Sequence, residues 1–165
     1  SKGWKTAADY AQAATAEPGK LTYATAGTGS GTHLNAEKFR LSAQLGVVHV
    51  PYRGTGPAMN DLIAGHVDFF CEQAVSVAEQ VRSGTIKAYG VSATEPLDAL
   101  PSVPAAKAGG VNYQMSIWAG MFAPKGTPKN VRKASAKTPR KIQVRSKRAS
   151  PNDVRTASFI VPRRM

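Results

Sequence analysis

The stretch that decides the fold runs from Leu21 to Leu34 and reads Leu-Thr-Tyr-Ala-Thr-Ala-Gly-Thr-Gly-Ser-Gly-Thr-His-Leu. Its first four residues are typical of a short β-strand, and its glycines are typical of a tight loop. Residues 33–45 follow with apolar side chains at helical spacing. A strand, a glycine-rich loop and a helix in direct succession form the first half of a βαβ unit. The stretch therefore predicts an α/β fold.

The same alternation continues along the chain as far as residue 123. Strands are predicted at 47–50, 67–71, 86–93 and 113–123, and further helices at 5–17, 57–64 and 75–82. Strands separated by helices favour a mostly parallel sheet flanked by helices. We expect Thr6 to cap the first helix, and the apolar run 67–71 to be buried on both faces. In the helix after the loop, we expect Leu34, Phe39, Leu41 and Leu45, with Ala36 and Ala43, to form the inward face and Gly46 to end the helix.

The positive charge of the chain is concentrated in its last part. Residues 1–128 contain 10 Lys and Arg against 9 Asp and Glu, a net +1, whereas residues 129–165 contain 12 against 1, a net +11, which together make +12. The second segment has few apolar residues and no regular period, which predicts a disordered basic tail. Such a tail leaves one alternative function open, a nucleic-acid-binding protein without catalytic activity. No interleaved aromatic residues or helix-turn-helix pattern supports specific nucleic-acid binding. No apolar run is long enough for membrane insertion.

The glycine-rich loop has the composition of an anion site. Its glycines allow close backbone approach to a ligand, and the helix behind it begins with unpaired N–H groups that favour negative charge. The loop is not a phosphate-binding P-loop, because no Lys follows Gly31, and it does not have the spacing of the dinucleotide fingerprint. Neutral donors of this kind suit reversible binding of a carboxylate. The alternative interpretation is a flexible turn into a helix.

The remaining reactive side chains do not form a catalytic or metal-binding set. Cys71 is a single thiol in an apolar run and is expected to be a buried small residue. His33 is expected to orient the loop, His49 to pack in the core and His66 to be solvated, and their spacing is not that of a metal site. Ser30 has no indicated acidic partner for nucleophilic catalysis. We therefore expect neither an enzyme nor a cofactor.

Five motifs, in this order, carry a family resemblance. They are 21–34, His49-Val-Pro-Tyr-Arg-Gly54, Asp61-Leu-Ile-Ala-Gly-His-Val-Asp68, Leu100-Pro-Ser-Val-Pro104 and Trp118-Ala-Gly-Met-Phe-Ala-Pro-Lys-Gly-Thr-Pro128. Together they resemble the Bug (TctC-like) solute-binding receptors of tripartite tricarboxylate transporters. The resemblance implies a periplasmic receptor with a two-lobed Venus-flytrap fold. It implies a small organic anion as ligand and the membrane permease subunits as partners. Residues 1–128 would then be the second lobe of such a receptor.

The resemblance also implies which residues meet the ligand. The first group lies in and beside the glycine-rich loop: Thr25, Ala26, Gly27, Gly29, Ser30, Thr32 and His33. A second group follows the second predicted strand: Tyr52, Arg53 and Gly54. Glu72 and Gln73 follow the third, at the edge where open α/β sheets bind ligands. The family usually has Asp and Asn there, and Glu72 would repel an anion unless it binds an amino group or faces away.

Two departures from the family pattern bear on this chain. The first lobe of the family is not found ahead of Ser1, and the opening Ser-Lys-Gly-Trp has no signal-peptide pattern, so we expect the chain as written not to be exported. After Val131 the sequence Arg132-Lys-Ala-Ser-Ala-Lys-Thr-Pro-Arg replaces an apolar helix, which suggests a frameshifted tail. A clamp needs two faces, so we expect this fragment alone to bind weakly or undetectably.

Overall fold

A computed structural model of the chain describes residues 4–108, 110–115, 124–130 and 158–162. The chain divides into two compact units, one formed by residues 1–117 with 155–165 and the other by residues 118–154. In the second unit, residues 124–130 begin with a turn in which the Thr127 hydroxyl donates to the Pro124 carbonyl oxygen at 2.8 Å.

Helices and strands alternate along the first unit, as the sequence predicts. The helices are α1 (Ala7–Ala16), α2 (Gly31–Ser42), α3 (Thr55–Ala64) and α4 (Ala74–Arg82). The strands are β1 (Thr22–Thr25), β2 (Val48–Pro51), β3 (Phe69–Gln73), β4 (Gly90–Val91) and β5 (Ser158–Pro162). Among the described residues, no helix combines the length and apolar character needed to cross a membrane.

The strands form one sheet in the order β2-β1-β3-β5-β4. The first three are parallel, with Tyr23 beside both His49 and Phe69. Strand β5 runs antiparallel between β3 and β4. The composition of 129–165 predicts no regular structure, so β5 is a correction for residues 158–162. The sequence feature that could have predicted this strand is the apolar run 159–161. Its backbone pairs with the side of β3 that β1 leaves free. The rest of the predicted tail lies outside the described residues.

The core has two parts, one on each face of the sheet. Tyr23, Phe69 and Cys71 point to the face covered by α1 and α2, where Tyr10 and Phe39 pack against them. On the opposite face, alternate strand residues pack with α3 and α4; this set includes Ala24, Phe70, Val91, Met59, Leu62 and Val77. Strand β3 is thus buried on both faces, as its apolar run predicts. Cys71 is fully buried there, in agreement with the prediction for this thiol.

Local sequence accounts for the start of α1. The Thr6 side chain accepts from the Asp9 backbone N–H, and the Asp9 carboxylate accepts from the Thr6 N–H. This capping box satisfies two N–H groups that the helix itself leaves unpaired. The predicted cap at Thr6 is confirmed.

Helix α2 agrees with its prediction in part of its inward face and differs in the rest and in length. Ala36 and Phe39 are buried as predicted, whereas Leu34 and Leu41 are 57% and 64% exposed and Thr32 and Asn35 are buried in their place. Helical spacing from Phe39 selects positions 35, 36 and 32, so one aromatic residue outweighs two leucines in choosing the inward face. The helix ends at Ser42, before Gly46, and Gln44, which follows the helix end, has a positive φ of 52°.

The predicted strands after α4 are also shorter or absent. Of residues 86–93, only Gly90 and Val91 form a strand. Residues 113–115 are described and are not a strand, whereas 116–123 lie outside the described residues. The Tyr113 hydroxyl donates to the Asn35 carbonyl oxygen at 3.0 Å, so this aromatic residue serves packing against α2 rather than the sheet.

Candidate functional site

The candidate site lies at the carboxyl edge of the three parallel strands. Helix α2 follows β1 and leads to β2 on one side, whereas β3 lies on the other side of β1. The junction of β1 and β3 is therefore a topological switch point, where open α/β sheets bind ligands outside the carboxyl ends of their strands. Helices α2, α3 and α4 all begin at this edge. The sequence-predicted residues lie here, in the segments after β1 and β2 and at the end of β3.

The segment 26–30, here called the glycine loop, is held by its own polar groups. Gly27 has a φ of 130° and Gly29 a φ of 80°, values that favour glycine. The Thr32 hydroxyl oxygen accepts from the Ala26 N–H at 2.8 Å and lies 2.8 Å from the Ser30 hydroxyl. Ser30 also caps α2, since its hydroxyl oxygen accepts from the His33 N–H at 3.2 Å. The two hydroxyls therefore shape the loop, and the N–H groups of Ala26, Gly27, Gly29 and Ser30 all have acceptors within or beside it.

Free backbone donors occur at all three helix starts. Within the described part of the chain, no acceptor is found for six N–H groups: those of Gly31 and Thr32 in α2, Thr55 and Gly56 in α3, and Val75 and Ser76 in α4. Helices α3 and α4 also have no side-chain cap. Because the first N–H groups of a helix point along its axis and its dipole is positive there, this edge favours an anion.

A column of three aromatic rings stands behind the glycine loop. The rings of His33 and His49 stack at 4.4 Å and 15°, and those of His49 and Tyr23 stack at 5.0 Å and 20°. The His33 Nδ1 accepts from the Gly29 N–H at 3.0 Å, which confirms that His33 orients the loop. Burial, and then the neighbouring His33, lower the pKa of His49. Tyr23 donates to Glu37, which also binds Arg40 at 2.8 Å.

The residues after β2 hold that segment against the glycine loop. The Tyr52 N–H donates to the Thr25 carbonyl oxygen at 3.0 Å, and the Gly54 N–H donates to the Ala26 carbonyl oxygen at 3.2 Å. The Tyr52 hydroxyl donates to Asp61 Oδ2 at 2.6 Å, and burial, followed by Asp61, raises the pKa of Tyr52 to about 12. Arg53 is exposed at the same edge. This segment therefore offers one exposed cationic side chain, for which the described residues hold no ion-pair partner.

Glu72 is turned inward. Its side chain is 2% exposed; Oε2 accepts from the Thr55 hydroxyl at 2.8 Å, and Oε1 accepts from the Gln73 N–H at 2.7 Å. Burial raises the pKa of Glu72, and the two hydrogen bonds oppose that rise. The carboxyl group thus bridges the starts of α3 and α4. Gln73 is half-buried and is the residue before α4.

The sequence predicts that most of these residues lie at one edge of the sheet. It does not predict two of their contact partners. Thr55 binds Glu72, and His49 contacts Thr25 at 2.7 Å rather than serving the core alone. The signal for His49 was present in its parallel alignment with Tyr23, two residues before Thr25, but pairing partners cannot be known from one strand. His66 is exposed and contacts Asp61, as expected. Among the described residues, no group of three His, Cys, Asp or Glu side chains could hold a metal ion.

Comparisons with known proteins agree with this geometry. A family model described as "Tripartite tricarboxylate transporter family receptor" (TctC) matches residues 2–150, and the chain belongs to this family. The match extends beyond Val131, where the sequence resemblance ended. A Pseudomonas sp. strain P51 relative, "UPF0065 protein in tcbD-tcbE intergenic region", is 39% identical over 122 residues, which are 73% of this chain and 36% of the relative.

Two solved structures are similar over most of the described fold. The periplasmic binding protein BugD has a TM-score of 0.72 at 34% identity, with 79% of this chain and 44% of BugD covered. MatC from Rhodopseudomonas palustris, solved with bound malate, has a TM-score of 0.73 at 33% identity, with 79% and 45% covered. The α/β fold of a periplasmic binding protein is thereby confirmed. The chain spans less than half the length of either protein.

Proposed function

We propose that this chain is part of an extracytoplasmic solute-binding receptor, and that the switch point between β1 and β3 binds a carboxylate of a small organic anion. The observation that carries the proposal is the set of six N–H groups, at the starts of three helices on one sheet edge, for which the described part of the chain provides no acceptor. Similarity to MatC, which was solved with bound malate, supports a carboxylate as the ligand class. The receptor would deliver its ligand to the membrane subunits of a tripartite uptake system.

The contacts divide between donors that touch the anion and groups that support them. The first turns of α2, α3 and α4 supply backbone N–H groups, and the glycine loop, held by Ser30, Thr32 and His33, sets the position of the start of α2. Arg53 supplies the free positive charge at this edge, beside Tyr52 and Gly54. Glu72 supports the site without touching the anion, since its oxygens already accept from Thr55 and Gln73. Binding through neutral backbone donors is reversible, which suits a carrier rather than an enzyme.

Titration of the full chain with succinate, followed by amide NMR, tests this proposal. We expect shifts confined to residues 26–32 and to the first residues of α3 and α4, because the unpaired amides begin these three helices and the glycine loop leads directly into α2. Succinamide, which has the same carbon skeleton but no charge, should leave them in place. Succinate-induced shifts scattered along the basic segment 129–165, or no shifts at all, would refute the site.

A pair of threonine variants makes the test specific. Thr32→Val removes the acceptor for the Ala26 N–H and should weaken succinate binding about fivefold, the usual effect of one lost hydrogen bond. Thr22→Val is the matched control, because Thr22 bonds to Asp68 at the opposite end of β1. Equal succinate affinities in the two variants would place the site elsewhere.

A further inference from the structure

We infer that His49 is a positioning residue that holds both ends of the glycine loop without touching the ligand. It lies on β2, the edge strand, and its side chain is half-buried. Two separate contacts leave its ring, one to Thr25 and one to His33, and each of these residues binds a loop amide. The inference rests on the proposed function of the loop as an anion site.

The first contact acts on the beginning of the loop. His49 Nε2 lies 2.7 Å from the Thr25 hydroxyl oxygen, which in turn accepts from the Gly27 N–H at 3.3 Å. A threonine hydroxyl rotates freely unless a partner fixes it. Since Thr25 is fully buried, the imidazole is the group that sets the direction of its lone pairs toward Gly27. His49 therefore orients the Gly27 amide through one intermediate hydroxyl.

The second contact acts on the other end of the loop. The His49 ring lies parallel to the His33 ring at 4.4 Å, and the Gly29 N–H donates to His33 Nδ1 at 3.0 Å. A backbone N–H can only donate, so Nδ1 of His33 carries no proton and its proton lies on Nε2. The stacked ring of His49 limits rotation of His33 about its side-chain torsions. Tyr23 supports His49 from its other face at 5.0 Å, so the column starts from a core residue.

The two contacts differ in chemistry, so two substitutions separate them. His49→Gln keeps a side-chain group able to bond to the Thr25 hydroxyl but loses the ring that stacks on His33. His49→Phe keeps the ring but loses the hydrogen bond. A residue with only a general structural role would disturb Gly27 and Gly29 together in both variants.

Amide hydrogen exchange of the full chain gives the decisive measurement. We expect His49→Phe to expose the Gly27 amide while Gly29 stays protected, and His49→Gln to expose Gly29 while Gly27 stays protected. Both variants should weaken succinate binding about fivefold, because each frees one end of the loop. His66→Gln, at an exposed histidine bonded to Asp61, is the matched control and should leave both amides unchanged.

Three results would overturn the inference: equal exposure of both amides in each His49 variant, no change at either amide, or unchanged succinate binding in both variants. If the Phe variant does not fold, the Gln variant decides alone, because exposure of Gly29 with Gly27 still protected requires that only the stacked ring of His49 holds the second end of the loop. Absence of succinate shifts in the wild-type chain would refute the proposed function instead, while the exchange pattern would still decide whether His49 positions the loop.

Discussion

Gly27 is the residue at which the glycine loop tolerates least change. Its φ of 130° is rarely adopted by other residues, and a Cβ placed there would lie 3.3 Å from the Tyr52 carbonyl oxygen. Because that oxygen belongs to the backbone of the neighbouring segment, it cannot move aside as a flexible side chain would. Space and conformation both require glycine at this position.

We predict that Gly27→Ala lowers the free energy of unfolding by about 1–3 kcal/mol, the usual range for a strained backbone position. Gly56→Ala is the matched control, because Gly56 lies in α3 and its Cβ would have no neighbour within 4 Å. That substitution should raise stability by about 0.5–1 kcal/mol. Denaturant unfolding measures both, and a Gly27 variant as stable as the wild type would contradict the strain argument.

Glu72 gives a prediction that depends on pH. Burial raises its pKa in the folded chain, so the unfolded chain ionises first as pH rises. The free energy of unfolding therefore falls as pH rises from the ordinary glutamate pKa to the raised one. Glu72→Gln has no such carboxyl group. The difference between its melting temperature and that of the wild type should therefore increase, in favour of the variant, as pH rises from mildly acidic to neutral. Glu79→Gln removes the same charge from a side chain that is 86% exposed, and should show no such trend.

At the scale of single elements, α1 depends on the groups at its first turn. Thr6→Ala removes the acceptor for the Asp9 N–H and should cost about 1 kcal/mol, as for other threonine caps. Thr15→Ala, near the end of the same helix, is the control, because the Thr15 hydroxyl only donates to the Ala11 carbonyl oxygen at an exposed site. Thermal unfolding of the two variants should differ; similar melting temperatures would mean that the cap contributes little.

The elements that sequence patterns predicted correctly are those with local signals. The cap at Thr6, the end of α3 at Ala64 and the apolar run of β3 each depend on residues close in the chain. The exposure of Leu34 and Leu41 and the strand β5 depend on distant partners instead. Tyr10, Phe69 and Tyr113 surround Phe39 and so fix the inward face of α2, and no pattern within 31–42 shows that the two leucines lie outside it.

The candidate site also combines features that the sequence predicts with features that depend on distant partners. The positions of the glycine loop and of Glu72 were predictable, because parallel strands bring their carboxyl ends to one edge. The inward turn of Glu72 was not, since it depends on Thr55, seventeen positions away. Likewise the contact between Thr25 and His49 exists only because β1 and β2 pair in one particular register.

At the scale of the whole molecule, affinity is expected to be low. All the donors described here lie on one edge of one sheet, and the chain covers 45% of the structure that holds malate. An anion on this edge would remain partly in water. We predict a succinate dissociation constant in the millimolar range, corresponding to about −4 kcal/mol. Calorimetry at high protein concentration tests it, and a micromolar constant would show that this edge is sufficient alone.

The reactivity of Cys71 reports how often the centre of the sheet opens. It is the one cysteine among 165 residues, and its thiol is fully buried in the middle of the sheet. Burial also raises its pKa, which leaves little reactive thiolate. An aromatic disulfide reagent can therefore modify the chain only while β3 is open. The absorbance of the aromatic thiolate that the reagent releases gives the rate of these openings, and no label or substitution is needed.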